Sequence, residues 1–182
     1  MEARSLGRMD VLDADGNAVA LGSLWRDRPA VIVWMRHFGC LYCMEQAREF
    51  RKARPSIEAA GARLVLIGNG GVKHLAAFKA AEAPDITVLT DPALRTYNAI
   101  GARSGIWRTV GPRSWKAGLR ALGSGARQSR VKGHPFQQGG VLVVLPGDRI
   151  AFTYLSISAG DHPSVESVLD SLRPSAASTA AS

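Results

Sequence analysis

The chain has 182 residues and a formal net charge of +8, with 23 basic and 15 acidic side chains. This length suits one domain with a full hydrophobic core and is short for two. No apolar run reaches the length of a membrane span, and residues 1–8 lack the hydrophobic segment of a signal peptide. We therefore expect a single cytoplasmic domain without a membrane partner, in a compartment where thiols are kept reduced.

Strands and helices alternate along most of the chain, and an antiparallel hairpin and a helix follow. This order predicts an α/β layer fold. The predicted elements are a hairpin around Asp15-Gly16, a strand over 30–35, a helix over 41–60, a strand over 63–68, a helix over 72–81, a strand over 85–89, a helix from 91 to about 100, a hairpin over 140–155 and a helix over 161–172.

Two of these helices have start signals in the sequence. Asp91 is predicted to N-cap its helix, with Pro92 at the first helical position. Asp161 and His162 are predicted to open the last helix. One domain should therefore span residues 1–173, and the small, polar residues 174–182 are expected to form a disordered tail.

The only two cysteines, Cys40 and Cys43, stand where the strand over 30–35 passes into the helix over 41–60. Unsatisfied backbone N–H groups and the helix dipole favour a thiolate at a helix N-terminus. One sulfur can attack a substrate while the other closes a disulfide, so the spacing predicts thioredoxin-like redox chemistry. Inert core packing is the alternative, because free cysteines are often buried.

The position of each cysteine suggests its role. Cys40 is closest to the helix N-terminus and is predicted to be the nucleophile, and Cys43, one turn further on, is predicted to be the resolving thiol. Arg36 and His37 precede the turn, where one of them could place a positive charge or a proton donor near Cys40. Strand alternation would send their side chains to opposite faces, so only one is expected to reach the sulfur.

A metal centre is a second interpretation of the same stretch. His37, Cys40 and Cys43 are three potential ligands, but a closed tetrahedral site needs a fourth and the chain has no further cysteine. A cluster shared across a dimer would meet that requirement. A non-enzymatic protein that binds a metal or an iron–sulfur centre is therefore the rival from another class.

The excess positive charge comes from one segment, since residues 102–134 contain eight basic residues and no acidic one. We interpret 102–137 as a basic insertion. Residues 112–122 can form a helix with Trp115 on its apolar face and Arg113 off it. This helix is either a solvated cover or a lid that draws an anionic substrate or an acidic partner toward Cys40. No nucleic-acid motif accompanies the arginines, so a nucleic-acid partner is not expected.

Gln137 is the last residue of the basic insertion, and Gln138 follows it, just before the predicted hairpin over 140–155. Their side-chain amides could hydrogen-bond a substrate at the start of the late strand. Ordinary loop residues are an equal alternative at this place.

Three sequence stretches together carry a family resemblance. They are Arg36-His37-Phe38-Gly39-Cys40-Leu41-Tyr42-Cys43, Gln137-Gln138-Gly139-Gly140-Val141 and Gly160-Asp161-His162. With the element order, they resemble the peroxiredoxin-like-2 branch of the AhpC/TSA superfamily, which is similar to prostamide/prostaglandin F synthase. The resemblance covers about residues 9–173.

The resemblance implies a thioredoxin-like, peroxiredoxin-type mixed sheet flanked by helices. It also implies a thiol-dependent antioxidant oxidoreductase that reduces a hydroperoxide or endoperoxide and needs no cofactor. A thioredoxin-type protein or a low-molecular-weight thiol would be its reductant, and a homodimer is one possible assembly. Thiol–disulfide exchange on an acidic partner is the alternative activity.

The chain also departs from typical peroxiredoxins. His37 stands where they have a Thr three residues before the reactive cysteine, and Val33 stands where they have a Pro. The arginine that they place just before the late strand is replaced by the stretch from Gln137 to Gly140.

Overall fold

The structure is a computed structural model that describes residues 2–102, 137–157 and 161–173. In chain order its elements are helix α1 (Ala3–Gly7), strands β1 (Asp10–Leu12) and β2 (Ala18–Ala20), a 3-10 turn (Leu21–Leu24), β3 (Ala30–Trp34), α2 (Leu41–Ala59), β4 (Arg63–Gly68), α3 (Val72–Glu82), β5 (Thr87–Thr90), α4 (Arg95–Ala99), β6 (Gly140–Leu145), β7 (Arg149–Leu155) and α5 (Val165–Leu172).

The strands form one mixed sheet in the order β2-β1-β5-β4-β3-β6-β7. The neighbouring strands β3, β4 and β5 are parallel, whereas β6 runs antiparallel to β3. Every residue of β3 is buried, as expected for an apolar, β-branched strand that is covered on both faces. The predicted α/β mixed sheet flanked by helices is confirmed.

Alternate residues of the central strands feed two separate cores. We call the side with α2, α3 and α5 the cysteine face, because its core includes Cys40 and Cys43 together with Val31, Val33 and Met35. The opposite face is covered by α1, the 3-10 turn and α4. Its core includes Trp25, Ile32, Trp34, Ile67 and Tyr97.

The predicted N-cap role of Asp91 is wrong. Helix α4 begins only at Arg95, after Leu94, whose φ of 58° lies in the left-handed region. Asp91 stands before this helix and outside its N-cap position. Its carboxylate still accepts hydrogen bonds from the backbone N–H and the hydroxyl of Thr96, both at 2.7 Å. The residues after Pro92 thus form a turn before the helix starts.

The predicted start of the last helix is also wrong. Helix α5 begins at Val165, and Ser164 caps it by accepting the Ser167 N–H at 3.2 Å. Pro163 disfavours helical geometry in the residue before it, so His162 lies outside the helix. Asp161 and His162 are thereby free to face α2 and β7.

The basic insertion falls largely outside the described residues, and so do its predicted helix, Arg113, Trp115 and the tail 174–182. These features stay predictions. The two end residues of the insertion do meet, because the Gln137 side-chain amide donates to the Ala102 carbonyl at 2.9 Å. None of the helices within the described ranges is long and apolar enough to cross a membrane.

Candidate active site

The site lies in the turn that connects β3 to α2. The Met35 N–H still pairs with the Ile67 carbonyl at 2.7 Å, which extends the sheet contact by one residue. The chain then turns, and the Cys40 N–H donates to the His37 carbonyl at 3.2 Å. The first helical bond runs from the Met44 N–H to the Cys40 carbonyl at 3.0 Å. Cys40 is therefore the N-cap residue of α2, as the sequence predicts for a thiol at a helix start.

Phe38 holds this turn against the sheet. Its ring lies over Gly68 at the end of β4, where an added Cβ would be only 2.4 Å from the ring. The Phe38 and Phe78 rings also pack together, with centroids 5.3 Å apart. Gly68 is thus required for a close approach that the sequence alone does not reveal.

The two sulfurs are both buried, with residue exposures of 5% for Cys40 and 2% for Cys43, and no disulfide joins them. A hydrogen bond from the Cys43 side chain is the main cause that lowers the pKa of Cys40 to about 6. The Arg36 charge and the backbone N–H groups of Cys43 and Tyr42 lower it further, against the effect of burial. Burial raises the pKa of Cys43 well above its ordinary value. At neutral pH the pair is therefore one thiolate and one thiol.

Arg36 contacts both the cysteine pair and the late strand. Its backbone N–H donates to the Cys43 sulfur at 3.2 Å. Its buried side chain donates from Nε to the Gln137 carbonyl at 3.1 Å. The Asn69 side-chain amide in turn donates to the Arg36 carbonyl at 2.5 Å. A guanidinium does therefore lie beside the start of the late strand, but it comes from the turn before Cys40.

His37 has a different character. It is buried, and burial followed by the Arg36 charge lowers its pKa to about 4. Its Nδ1 accepts the Gly39 N–H at 3.2 Å, which requires that nitrogen to be unprotonated. His37 is thus neutral at pH 7, and Arg36 is the member of this pair whose charge acts on Cys40. A proton-transfer role for His37 stays a prediction.

The amides of Gln137 and Gln138 both contact the protein backbone. Gln137 donates to Ala102, as described above, and Gln138 makes a long contact of 3.5 Å from Nε2 to the Ile157 carbonyl. Within the described residues, the Gln137 side chain thus joins the start of β6 to the chain at Ala102, and the Gln137 carbonyl accepts a hydrogen bond from Arg36. Substrate binding by these two residues stays a prediction.

The close approach of the late strand to β3 explains why a glycine stands at position 139. A Cβ at this position would lie 2.3 Å from the Trp34 carbonyl oxygen, so only glycine allows the late strand to approach the end of β3. A Cβ at Gly140 would likewise lie 2.7 Å from the Tyr154 carbonyl oxygen. This close contact is what brings the Gln137 carbonyl within reach of Arg36.

A narrow pocket opens beside Cys43, with room for about one water molecule. Its lining includes Arg36, Gly139, Ser156, Asp161 and His162. Sequence reasoning placed Asp161 and His162 in the last helix and therefore missed this juxtaposition. The bend at Pro163 is the local signal that could have placed them outside the helix.

Two hydrogen bonds hold the Asp161 carboxylate beside this pocket. The carboxylate accepts hydrogen bonds from the Tyr154 hydroxyl at 2.5 Å and from the Ile157 N–H at 2.6 Å. Burial, together with this bond, raises the pKa of Tyr154 to about 12. The phenol therefore stays protonated and serves as a fixed donor to the carboxylate.

The described residues include no group of three or more His, Cys, Asp or Glu side chains suited to holding a metal ion. Within the stretch that suggested one, Nδ1 of His37 is already an acceptor for a backbone N–H. The described geometry thus offers no positive support for a metal centre at this site.

Comparison with known proteins places the chain in a family. The family model described as AhpC/TSA antioxidant enzyme matches residues 49–156, more than half of the chain. The thioredoxin-like protein AAED1 of Arabidopsis thaliana chloroplasts is 35% identical over 176 residues, which cover 92% of this chain and 71% of that protein. The chain belongs to the AhpC/TSA antioxidant enzyme family.

Two further relatives narrow the branch. Human peroxiredoxin-like 2C is 30% identical over 179 residues, with 92% of this chain and 78% of that protein covered. Prostamide/prostaglandin F synthase of Salmo salar is 28% identical over 183 residues, covering 97% and 90%. The predicted resemblance to the peroxiredoxin-like branch is confirmed, and with it membership of a family of peroxiredoxin-like thiol oxidoreductases that act on small molecules.

The fold agrees as well. The crystal structure of peroxidoxin BcpB from Mycobacterium tuberculosis superposes with a TM-score of 0.68 at 18% identity, with 91% of each chain covered. At this identity the match establishes the peroxiredoxin-type fold alone. The matched family segment begins after Cys43, so the cysteine pair lies outside it.

Proposed function

We propose that this protein is a thiol-dependent oxidoreductase that reduces a small peroxide-type molecule, a hydroperoxide or an endoperoxide, with the Cys40–Cys43 pair. The observation that carries the proposal is the asymmetry of the pair. Cys40, at the N-cap of α2, has a pKa of about 6, and the thiol that lowers it is the one that can later close a disulfide. This is the division of labour that a nucleophile and a resolving cysteine need.

The first step would be attack of the Cys40 thiolate on one oxygen of the peroxide bond. With a hydroperoxide, that oxygen stays on sulfur as a sulfenic acid, and the other leaves as an alkoxide that takes a proton to become an alcohol. The Arg36 guanidinium, whose charge already stabilises the thiolate, also lies where negative charge develops. The sulfur is oxidised by two electrons and the peroxide is reduced by two.

The second step would be attack of Cys43 on the Cys40 sulfur. With a hydroperoxide this releases water, and with an endoperoxide it releases the second alkoxide, so that the product is a diol. In either case the thiol proton of Cys43 balances the oxygen that leaves, and the enzyme ends as a Cys40–Cys43 disulfide. Backbone donation from Arg36 to the Cys43 sulfur stabilises the thiolate as it forms.

The remaining partners belong to the same proposal. A thioredoxin-type protein or a low-molecular-weight thiol would restore the dithiol, and the basic insertion favours an anionic substrate. A relative named prostamide/prostaglandin F synthase supports an endoperoxide, and relatives named peroxiredoxin-like support a hydroperoxide. A cytoplasmic location and a homodimer stay predictions.

Intact mass spectrometry of the reduced protein after stoichiometric hydrogen peroxide tests the proposal, with Cys40→Ser and Cys43→Ser measured in parallel. The wild type should lose two hydrogens, Cys43→Ser should accumulate a sulfenic acid, and Cys40→Ser should remain unmodified. A prostaglandin-type endoperoxide, assayed in the same way, separates the two substrate classes.

Either of two results would contradict the proposal. The first is a wild type that stays unmodified by both substrates at concentrations that oxidise a free thiol. The second is equal oxidation of wild type and Cys40→Ser. A coloured protein with charge-transfer absorbance would instead favour the metal or iron–sulfur alternative.

A further inference from the structure

We propose that His162, paired with Glu49, accepts the proton of Cys43 through a water molecule in the adjoining pocket when the disulfide closes. The inference deepens the proposed function and rests on it, since it concerns the second step of the same cycle. It assigns a chemical role to a residue outside the strand–turn–helix that holds the cysteines.

The need for a proton acceptor follows from the burial of Cys43. This sulfur is almost inaccessible and is a thiol in the reduced protein. Its hydrogen-bond partner, the Cys40 thiolate, is consumed in the first step and can then no longer take the proton. The Arg36 N–H contacts the Cys43 sulfur at 3.2 Å, but it is a donor and cannot act as a base. Attack by Cys43 therefore requires another group.

The pocket connects Cys43 to the loop before α5. Cys43, Arg36, Gly139, Asp161 and His162 all line it. Its size matches about one water molecule, and general acid–base catalysis can use one bridging water when two groups are not in direct contact. Cys43 and His162 thus border the same small pocket.

The other ionisable groups that face the pocket are poor acceptors. Arg36 is a cation, and Tyr42 is a phenol. The Asp161 carboxylate already accepts the Tyr154 hydroxyl at 2.5 Å and the Ile157 N–H at 2.6 Å, and a carboxylate is ordinarily a weak base near neutral pH. An imidazole is the side chain that ordinarily accepts and returns protons near neutral pH.

Glu49 completes the arrangement from α2. Its Oε2 lies 3.6 Å from Nε2 of His162, and the Glu49 side chain is 40% exposed. The Glu49 carboxylate can pair with the imidazolium that forms when His162 takes the proton. The ring is only partly accessible, with 16% of the side chain exposed, and its Nδ1 lies 3.4 Å from the Pro163 carbonyl.

The proton balance closes within the site. Cys43 loses its proton through the water to His162 as its sulfur bonds to the Cys40 sulfur. His162 then returns that proton to the oxygen that leaves Cys40, so water departs after a hydroperoxide and an alcohol after an endoperoxide. No oxidant beyond the substrate is required.

The test uses 2,2′-dipyridyl disulfide, which reports each cysteine separately and does not depend on peroxide activity. Attack by Cys40 releases one thiopyridone, and attack by Cys43 on the mixed disulfide releases a second. His162→Gln should leave the first phase unchanged and slow the second roughly tenfold or more near neutral pH. The slow phase should recover as hydroxide replaces the missing base at high pH. His74→Gln, at an exposed position on α3, is the matched control and should behave as wild type.

Glu49→Gln provides a second arm in case His162→Gln does not fold, because Glu49 is at the surface. Loss of the carboxylate should slow the second phase roughly twofold and leave the first phase unchanged, as expected for a partly exposed pair. Second phases with wild-type rates and pH profiles in both variants would overturn the inference, as would equal slowing in His74→Gln.

The outcomes also separate this inference from the proposed function. If the wild type releases only one thiopyridone, the pair does not cycle and both ideas fail. If the wild type releases two and the His162 and Glu49 variants match it, only the role of His162 fails. If the variants behave as expected but peroxides leave the protein unmodified, the substrate assignment alone is wrong.

Discussion

The two faces of the sheet are both buried but are held together by different forces. On the opposite face, directional hydrogen bonds lie within the core: the Trp34 indole donates to the Thr96 hydroxyl at 3.0 Å, and Thr96 donates to Asp91 at 2.7 Å. The core of the cysteine face is built mainly by apolar packing. The two faces thus differ in the interactions that order them.

Tyr97 links the two faces. Its buried hydroxyl lies 2.6 Å from the Met35 carbonyl and 3.0 Å from the Ile67 carbonyl, at the ends of β3 and β4. The Met35 carbonyl is the last backbone acceptor before Arg36 and the cysteine turn. The opposite face therefore fixes where the strand stops and the turn begins.

The largest effect is expected where the two faces meet. Gly139→Ala would place a Cβ 2.3 Å from the Trp34 carbonyl oxygen, and relief requires the backbone of β3 or β6 to move. We expect a loss of about 3 kcal/mol in the free energy of unfolding, measured by urea titration. Gly71→Ala, where a Cβ meets no atom within 4 Å, is the control and should change little. Equal midpoints for the two variants would contradict the close approach.

Removing the Asp91 hydrogen bonds on the opposite face should lower the stability of the protein without changing the reactivity of Cys40. Asp91→Ala leaves the N–H and hydroxyl of Thr96 without their buried acceptor, at a cost of about 2.5 kcal/mol in unfolding free energy. The pH dependence of Cys40 alkylation should stay as in wild type, because the change lies across the sheet. Asp15→Ala, at the exposed β1–β2 turn, controls for loss of a carboxylate. A shifted alkylation midpoint in Asp91→Ala would show that the faces are not independent.

The cysteine face should make stability depend on pH through His37. Its folded pKa of about 4 lies below the ordinary 6.5, so the unfolded chain binds the proton more tightly. The stability from this difference is present above pH 6.5 and is lost as the pH falls toward 4. Between about pH 7 and pH 5 the wild type should lose about 2 kcal/mol more than His37→Asn, which keeps an acceptor for Gly39. Parallel losses in both proteins, measured by urea titration, would refute this.

The smallest expected effect concerns the sulfur pair itself. Cys43→Ala removes the main hydrogen bond to the Cys40 thiolate, so the pKa of Cys40 should rise by about one unit, equivalent to about 1.4 kcal/mol. Cys43→Ser keeps a donor and should raise it less. The measurement is the pH midpoint of Cys40 alkylation by iodoacetamide in the reduced variants. A midpoint that stays near 6 in Cys43→Ala would assign the low pKa to Arg36 and the helix instead.

Local patterns in the sequence were sufficient for the scaffold of the site. The apolar stretch before Cys40 predicts β3, and Gly61 after α2, with a φ of 78°, ends that helix where expected. These features depend on neighbours in the chain, so periodicity and turn residues reveal them. The family resemblance then implied a peroxiredoxin-type mixed sheet flanked by helices.

Contacts between distant residues could not be predicted in this way. Arg36 meets Gln137 only because Gly139 approaches Trp34, and Asp161 leaves the last helix for a hydroxyl on β7. Asp91 looked like an ordinary N-cap because Pro92 follows it. Its actual backbone partner, Thr96, lies further along the chain than the N2 or N3 position that an N-cap side chain contacts. Each of these depends on tertiary packing that no short sequence window contains.

The bond between the Gln137 amide and the Ala102 carbonyl has a consequence for how this chain can change. It places the residues just before and just after segment 103–136 next to each other. The connectivity of the sheet therefore does not fix the length of that segment. The entropic cost of closing a loop grows only slowly with its length, so a segment of different length or sequence can be inserted between these two residues at little cost in stability. Substrate preference could then diverge among relatives through changes in this segment alone, while the cysteine pair and its chemistry stay unchanged.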